Sequence, residues 1–141
     1  MIVPVTFGNQ DEWVKLCLEL WPDSSPSELI HERIEGRFRN EFLYLRDGNP
    51  VAFISLAVRR DYVEGAQTNP VGYIEGVYVC PECRRQGIAK ELVEFAKQWT
   101  KDHGLTEIAS DCERDNEASR FFHQKMGFSE VNSIICFAMR L

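Results

Sequence analysis

Tyr73-Ile-Glu-Gly-Val-Tyr-Val-Cys-Pro-Glu-Cys-Arg-Arg-Gln-Gly-Ile-Ala-Lys90 is the stretch from which the rest of the chain is read. Tyr73, Ile74, Val77, Tyr78 and Val79 are β-branched or aromatic and predict a strand. Gly76 interrupts the run, as a bulge or a close backbone approach would require. Pro81 ends it, because proline cannot donate to a ladder. Arg84-Arg85-Gln86-Gly87-Ile88-Ala89 then leads into a helix with an apolar face at Ile88, Leu92, Val93, Ala96 and Trp99. Strand, basic turn and helix together gather free N–H groups and positive charge at one point, which suits a pyrophosphate. The same stretch also reads as an ordinary strand-to-helix connection with two surface arginines. It is not a Walker loop, which needs Gly-x-x-x-x-Gly-Lys-Ser/Thr.

The 141 residues are enough for a single domain, 1–141, with a substantial core, and 44% hydrophobic content is ordinary for a globular chain. Apolar runs are too short to span a bilayer and no signal peptide is apparent, so a cytoplasmic setting with no membrane contact is expected. The formal charge of −6, from 22 acidic and 16 basic residues, argues against a nucleic-acid partner and is compatible with a cationic ligand. Among five cysteines, Cys80-Pro-Glu-Cys83 raises zinc or redox chemistry. No second C-x-x-C or paired histidine motif completes a four-ligand site, so no metal is expected. An odd cysteine count fits reduced thiols in a cytosol.

In chain order, Met1 to Thr6 predicts a strand. Trp13, Leu16, Cys17 and Leu20 are spaced for an amphipathic helix that stops at Trp21-Pro22. Ser25-Pro26-Ser27-Glu28 carries a capping box, and Leu29, Ile30, Ile34 and Phe38 give a second helix. Glu41 to Arg46 and Val51 to Val58 predict strands around the hairpin signal Asp47-Gly48-Asn49-Pro50. Arg59 to Pro70 reads as a loop over the sheet. Gly104 closes the central helix, Glu107 to Asp111 is a strand, and Asn116 to Met126 a short helix. Phe128 to Val131 and Ile134 to Met139 read as a closing hairpin. The order β-α-α-β-β-β-α-β-α-β-β is a mixed α/β sheet in one domain.

Arg84-x-x-Gly87-x-Ala89, after a strand ending in Val79-x-Pro81, resembles the coenzyme A pyrophosphate loop of the GCN5-related N-acetyltransferases. The element order is also theirs, so the resemblance covers nearly the whole chain. Asn116, Phe122, Gly127 and Phe128 fit the family's downstream motif. Ser119 stands where alanine is usual, and His123 where a tyrosine is usual that is the proposed acid for the thiolate. Within the family the chain is similar to the aminoglycoside 6′-N-acetyltransferases, through Leu20-Trp21-Pro22, Asp61-Tyr62-Val63-x-Gly65, Pro70-Val71, Glu75-Gly76, Ala109-Ser110-Asp111, and His123 with Gln124 and Gly127-Phe128.

The resemblance implies an acetyl-coenzyme A-dependent transferase with a single-domain mixed sheet, a splayed central strand pair and flanking helices. The carrier would lie between the strand ending at Val79 and the strand ending at Asp111. Val77, Tyr78 and Val79 would face it, with N–H donors at Val77 and Val79 for the thioester oxygen and pantetheine. The N–H groups from Arg85 through Gln86, Gly87, Ile88 and Ala89 to Lys90 would take the pyrophosphate, and Asn116 the pantetheine or sulfur. Glu75 and Asp111, carboxylates at or near the ends of neighbouring strands, are the expected catalytic and amine-binding groups. Either also reads as a surface carboxylate. Trp21 and Tyr62 are the aromatic candidates for packing a cationic amino sugar, with plain core the other reading for Trp21. The subgroup resemblance implies a homodimer. Other acceptors (a polyamine, a small amine, a peptide amine) and a non-catalytic acyl-coenzyme A module are the competing readings.

Overall fold

A computed structural model describes residues 1–36 and 40–141. Five strands form one sheet in chain order, β1 (Ile2–Pro4), β2 (Asn40–Arg46), β3 (Asn49–Arg59), β4 (Val71–Val79) and β5 (Ile108–Ser110). Neighbours are antiparallel except β4 and β5, which run parallel. The parallel pair needs a crossover, and the chain supplies α3 (Ile88–Asp102) after a 3-10 turn at Pro81–Cys83. Helices α1 (Gln10–Leu20) and α2 (Pro26–Glu35) lie between β1 and β2 in the chain, and α4 (Glu117–Lys125) follows β5.

The two sheet faces are closed by different helices. Trp13, Val14 and Cys17 of α1 and Leu29 of α2 pack on Leu43, Phe53 and Tyr78. On the other face Ile88, Leu92 and Ala96 of α3 meet Ala52, Ile54, Leu56, Ile74 and Val79. Each fully buried Leu, Ile or Phe contributes about 1.5–3 kcal/mol, so these two layers hold the central strands in place. A third cluster, Val63, Val71 and Tyr73, seats the loop that follows β3.

Local chemistry sets the element ends. The Ser25 side chain accepts from the Glu28 N–H at 3.2 Å, and Glu28 accepts from the Ser25 N–H at 3.2 Å, so the predicted capping box is formed. Asp47 and Gly48 both have positive φ, 50° and 78°. They make a two-residue hairpin turn, and Arg46 pairs directly with Asn49. The strands therefore reach closer to this turn than the four-residue signal suggested.

Two expectations need comment. The closing hairpin over Phe128–Val131 and Ile134–Met139 is not formed, since no strand follows α4 among the described residues. β5 is three residues long and pairs only with β4, and the C-terminal stretch is tied down by side chains instead. Glu130 bonds Arg120 at 2.9 Å, the Asn132 amide donates to Glu64, and Val131 sits over Gly65. Beyond it Ile134, Ile135, Phe137 and Met139 are exposed. Phe38, assigned from periodicity to the second helix, lies outside the described residues.

Candidate active site

One extra residue in β4 creates the opening. β3 and β4 pair at Leu56↔Ile74 and at Ser55↔Gly76, so Glu75 is a bulge with no opposite number. The hydrogen bonds on either side show its effect. The Gly72 N–H donates to the Glu107 carbonyl (3.0 Å), beside β5, whereas the Cys80 N–H donates to Val51 in β3 (2.9 Å). Residues of equal parity in a regular strand send their N–H groups the same way, so the bulge has reversed the phase. Beyond it the N–H groups of Val77 and Val79 turn away from β3. β4 and β5 pair only from Gly72↔Ile108 to Ile74↔Ser110, and no strand receives those two donors among the described residues.

Gly76 is needed at the bulge for a second reason. A Cβ there would lie 2.6 Å from the Trp21 ring, which meets Phe53 at 5.8 Å between centroids. Trp21 is thus half-buried at the edge of the opening. Tyr62 is 80% exposed in the loop after β3 and donates its hydroxyl to Glu64 at 2.9 Å. That loop is anchored from below, where the Gln67 N–H and the Thr68 hydroxyl both donate to Glu107.

The turn after β4 is built for free N–H groups. Arg84 does not reach outward; its Nε donates to the Val79 carbonyl at 2.8 Å and ties the turn to the strand end. Arg85 (φ 61°) and Gly87 (φ 85°) are both left-handed, and a non-glycine residue there is uncommon. The first bond back within α3 is from the Glu91 N–H to Gly87. The N–H groups of Ile88, Ala89 and Lys90 therefore point out of the helix N-terminus. The Gln86 side chain bonds back to Glu82 at 3.2 Å.

On the opposite wall the two predicted carboxylates do meet, through residues that periodicity could not single out. The Glu75 side chain is only 7% exposed, and Arg59 donates to it with both Nε and Nη2 at 2.8 Å. The Arg59 guanidinium lies 3.5 Å from the centroid of the Tyr73 ring, and the Tyr73 hydroxyl donates to Asp111. Arg59 is held more firmly protonated, chiefly by its hydrogen bond to Glu75, with Tyr73 and Asp111 adding to the field. Burial, then the bond to Asp111, pushes the Tyr73 hydroxyl well above its ordinary range. Two acids, one arginine and one aromatic face form a single connected group.

His123 closes the base of the opening. Its Nδ1 lies 2.7 Å from the Ser119 carbonyl and its Nε2 2.8 Å from the Ser110 hydroxyl. A carbonyl can only accept, so Nδ1 carries a hydrogen, while the Ser110 hydroxyl donates to the Ile74 carbonyl at 3.4 Å. Phe122 and Phe128 pack edge-on around the ring, each at 5.5 Å. The ring joins α4 to the end of β5. Asn116 caps α4, its side chain accepting from the Ser119 N–H at 3.1 Å. The arrangement offers backbone donors for an oxyanion and an extended chain on one wall, an anion site at the turn, and carboxylates for an amine on the other.

The pattern of the Acetyltransferase (GNAT) family matches residues 9–128. Aminoglycoside N(6')-acetyltransferase type 1 of Acinetobacter haemolyticus is 34% identical, over 99% of this chain and 98% of its own. The enzyme of that name from Acinetobacter baumannii is 36% identical, over 96% and 95%. The crystal structure of aminoglycoside antibiotic 6'-N-acetyltransferase AAC(6')-IG from A. haemolyticus, apo, superposes with a TM-score of 0.92 at 34% identity, covering 100% of this chain and 99% of that one. AAC(6')-Iy in complex with the bisubstrate analog CoA-S-monomethyl-acetylneamine superposes with a TM-score of 0.91 at 29% identity, covering 100% and 98%.

Proposed function

The chain belongs to the Acetyltransferase (GNAT) family, and from that premise we propose that it transfers acetyl from acetyl-coenzyme A to the 6′-amine of aminoglycosides, conferring antibiotic resistance. The observation that carries the reading is the bulge at Glu75. It turns two backbone donors to one side of β4 and sets a nearly buried carboxylate at the same point. The names of full-length relatives supply the acceptor.

Acetyl-coenzyme A is the acyl donor. The N–H groups of Val77 and Val79 hold the thioester oxygen and the chain behind it, and those from Arg85 to Lys90 hold the pyrophosphate. Preorganised donors of this kind stabilise a developing oxyanion by about 3 kcal/mol. Tyr78 backs the same strand, and Asn116 stands at the head of α4 facing the carrier. Trp21 and Tyr62 flank the amino sugar. Glu75 takes a proton from the 6′-ammonium, directly or through one water, and Asp111 orients the same or a neighbouring amine. The amine nitrogen then bonds to the acetyl carbon and gives up its second proton to solvent, the carbon–sulfur bond breaks, and the thiolate leaves and is protonated by solvent. No metal is called for.

Thiol release from acetyl-coenzyme A tests this. Turnover is expected with aminoglycosides bearing a 6′-amine and lost with 6′-hydroxyl analogues. Turnover with polyamines alone would overturn the acceptor and the roles of Trp21 and Tyr62.

A cytoplasmic setting, where the acyl donor is made, is in keeping with five free cysteines. The exposed Ile134, Ile135, Phe137 and Met139 favour a homodimer in which a second copy covers the C-terminal stretch. Light scattering at micromolar concentration is expected to give twice the chain mass, and a monomer would remove the dimer.

A further inference from the structure

We infer that Arg59 is a positioning residue whose fixed charge drives the proton off the acceptor amine. The inference rests on the acetyl-transfer reading and adds to it a group that neither the family motifs nor the chemistry above uses.

Glu75 cannot serve alone. A carboxylate offers about four acceptor positions, and Arg59 fills two of them through Nε and Nη2, at 2.8 Å each. The remaining positions are the ones an incoming ammonium can use. A nitrogen bonded to that carboxylate comes within roughly 4–5 Å of the guanidinium, two hydrogen bonds away. Arginine keeps its proton at any working pH. Tyr73 holds the guanidinium against its ring at 3.5 Å and is itself tethered to Asp111. Arg59 therefore has little freedom to retreat when a second cation arrives.

The consequence is electrostatic. The proton in question is the one on the bound ammonium. With it the amine is a cation facing the guanidinium; once it has passed by way of the Glu75 carboxylate to solvent, the amine is neutral and the carboxylate is restored. A permanent positive charge next to both favours the second state. Charges at such separations move a titration by about one to three pH units. The groups facing the pair are Arg59 from β3, Tyr73 and Glu75 from β4, and Asp111 after β5. From α4 comes His123, which is tied to Ser110 and Ser119. Among these Arg59 alone has a permanent positive charge. The site binds a cation with two acids and prepares it as a nucleophile with one cationic neighbour that never deprotonates.

The test is the pH profile of the single-turnover acetyl-transfer rate with a 6′-amine aminoglycoside, for wild type, Arg59→Gln and Arg59→Lys. In Arg59→Gln the acid limb is expected to move to higher pH by about one unit or more. Its rate at pH 7 is then at least tenfold low and recovers towards wild type near pH 9. Arg59→Lys keeps the charge without the two-pronged contact, and its limb is expected at the wild-type position. An Arg59→Gln profile that coincides with wild type, or is lowered by one factor at every pH, overturns the inference, because a scaffold role gives no alkaline rescue. Should Arg59→Gln fail to fold, Arg59→Met takes its place: a limb moved to higher pH supports the inference, and an unmoved one overturns it. Wild type without turnover would remove the acetyl-transfer reading itself, an outcome distinct from wild-type turnover with an unmoved variant.

Discussion

The two walls of the cleft are made of different materials. The wall proposed for the carrier is backbone: the N–H groups of Val77 and Val79, and the turn in which Arg85 and Gly87 are left-handed. The acceptor wall is side chain: Arg59, Tyr73, Glu75 and Asp111, joined by one ion pair, one stacked ring and one hydroxyl bond. Backbone donors carry no titratable charge and are fixed by the sheet and helix that contain them. The acceptor wall depends on charge and on every partner staying in place. Recognition of the acyl donor is therefore expected to be insensitive to pH, and recognition of the acceptor to follow it closely. A polar row continues from the acceptor wall into the interior, because Gly76 pairs with Ser55 and Ser55 with Glu41.

The largest effect is expected from Glu75→Gln, which keeps the shape and removes the base. General base loss costs about 10²–10⁴ in turnover, while acetyl-coenzyme A affinity by titration calorimetry stays at the wild-type value. Equal losses in both would break the distinction between the walls.

Glu41 extends the comparison to stability. It is 2% exposed, and neither carboxylate oxygen has a hydrogen-bond partner among the described residues. Arg33 from α2 and Cys17 from α1 face it electrostatically, and Ser55 is its register partner on β3. Burial pushes its carboxyl from 4.5 up to about 8, with Arg33 pulling the other way. A folded value above the unfolded one means stability is fullest below 4.5 and is lost as pH rises to about 8. Denaturant unfolding is expected to show wild type losing on the order of 2–4 kcal/mol across that window. Glu41→Gln should flatten the curve. An equally steep curve in the variant would place the pH sensitivity elsewhere.

The smallest effect sharpens the carrier wall. Gly87→Val puts a β-branched residue at φ 85°, at a cost of about 1–2 kcal/mol. If the turn relaxes to relieve it, acetyl-coenzyme A binds roughly 5–30-fold more weakly and the acceptor KM is unchanged. A matching rise in acceptor KM would show that the walls are not independent.

The backbone of the proposed carrier wall was legible in sequence because such elements leave periodic and conformational marks. The Val77–Val79 strand, the Pro81 stop and the glycine at 87 each signal a backbone state directly. The acceptor wall was half legible. Glu75 and Asp111 stand out as carboxylates at or beside strand ends, but Arg59 looks like any polar residue at a loop boundary. Its role exists only because β3 runs on to Arg59 and lies beside the bulge. Tyr73 reads in sequence as a strand former, and its hydroxyl bond to Asp111 has no local signature. The closing hairpin failed for a related reason. The apolar run Ile134 to Met139, with its two β-branched isoleucines, gives a segment the means to pair, but pairing needs a neighbour, and the chain's own β5 is too short to provide one.

The bulge at Glu75 also sets how the strand will answer to mutational scanning. Before it, Tyr73 belongs to the cluster beneath the loop; after it, Val77 and Val79 face α3 while Tyr78 faces α1. Substitution tolerance along β4 is then two patterns of period two, joined out of step at one residue. A library that deletes Glu75 would merge them into a single pattern in which Gly76 to Val79 keep their present partners on β3. Loss of one codon there is expected to spare the packing of the strand while removing the carboxylate, so that fold and activity part company at this position.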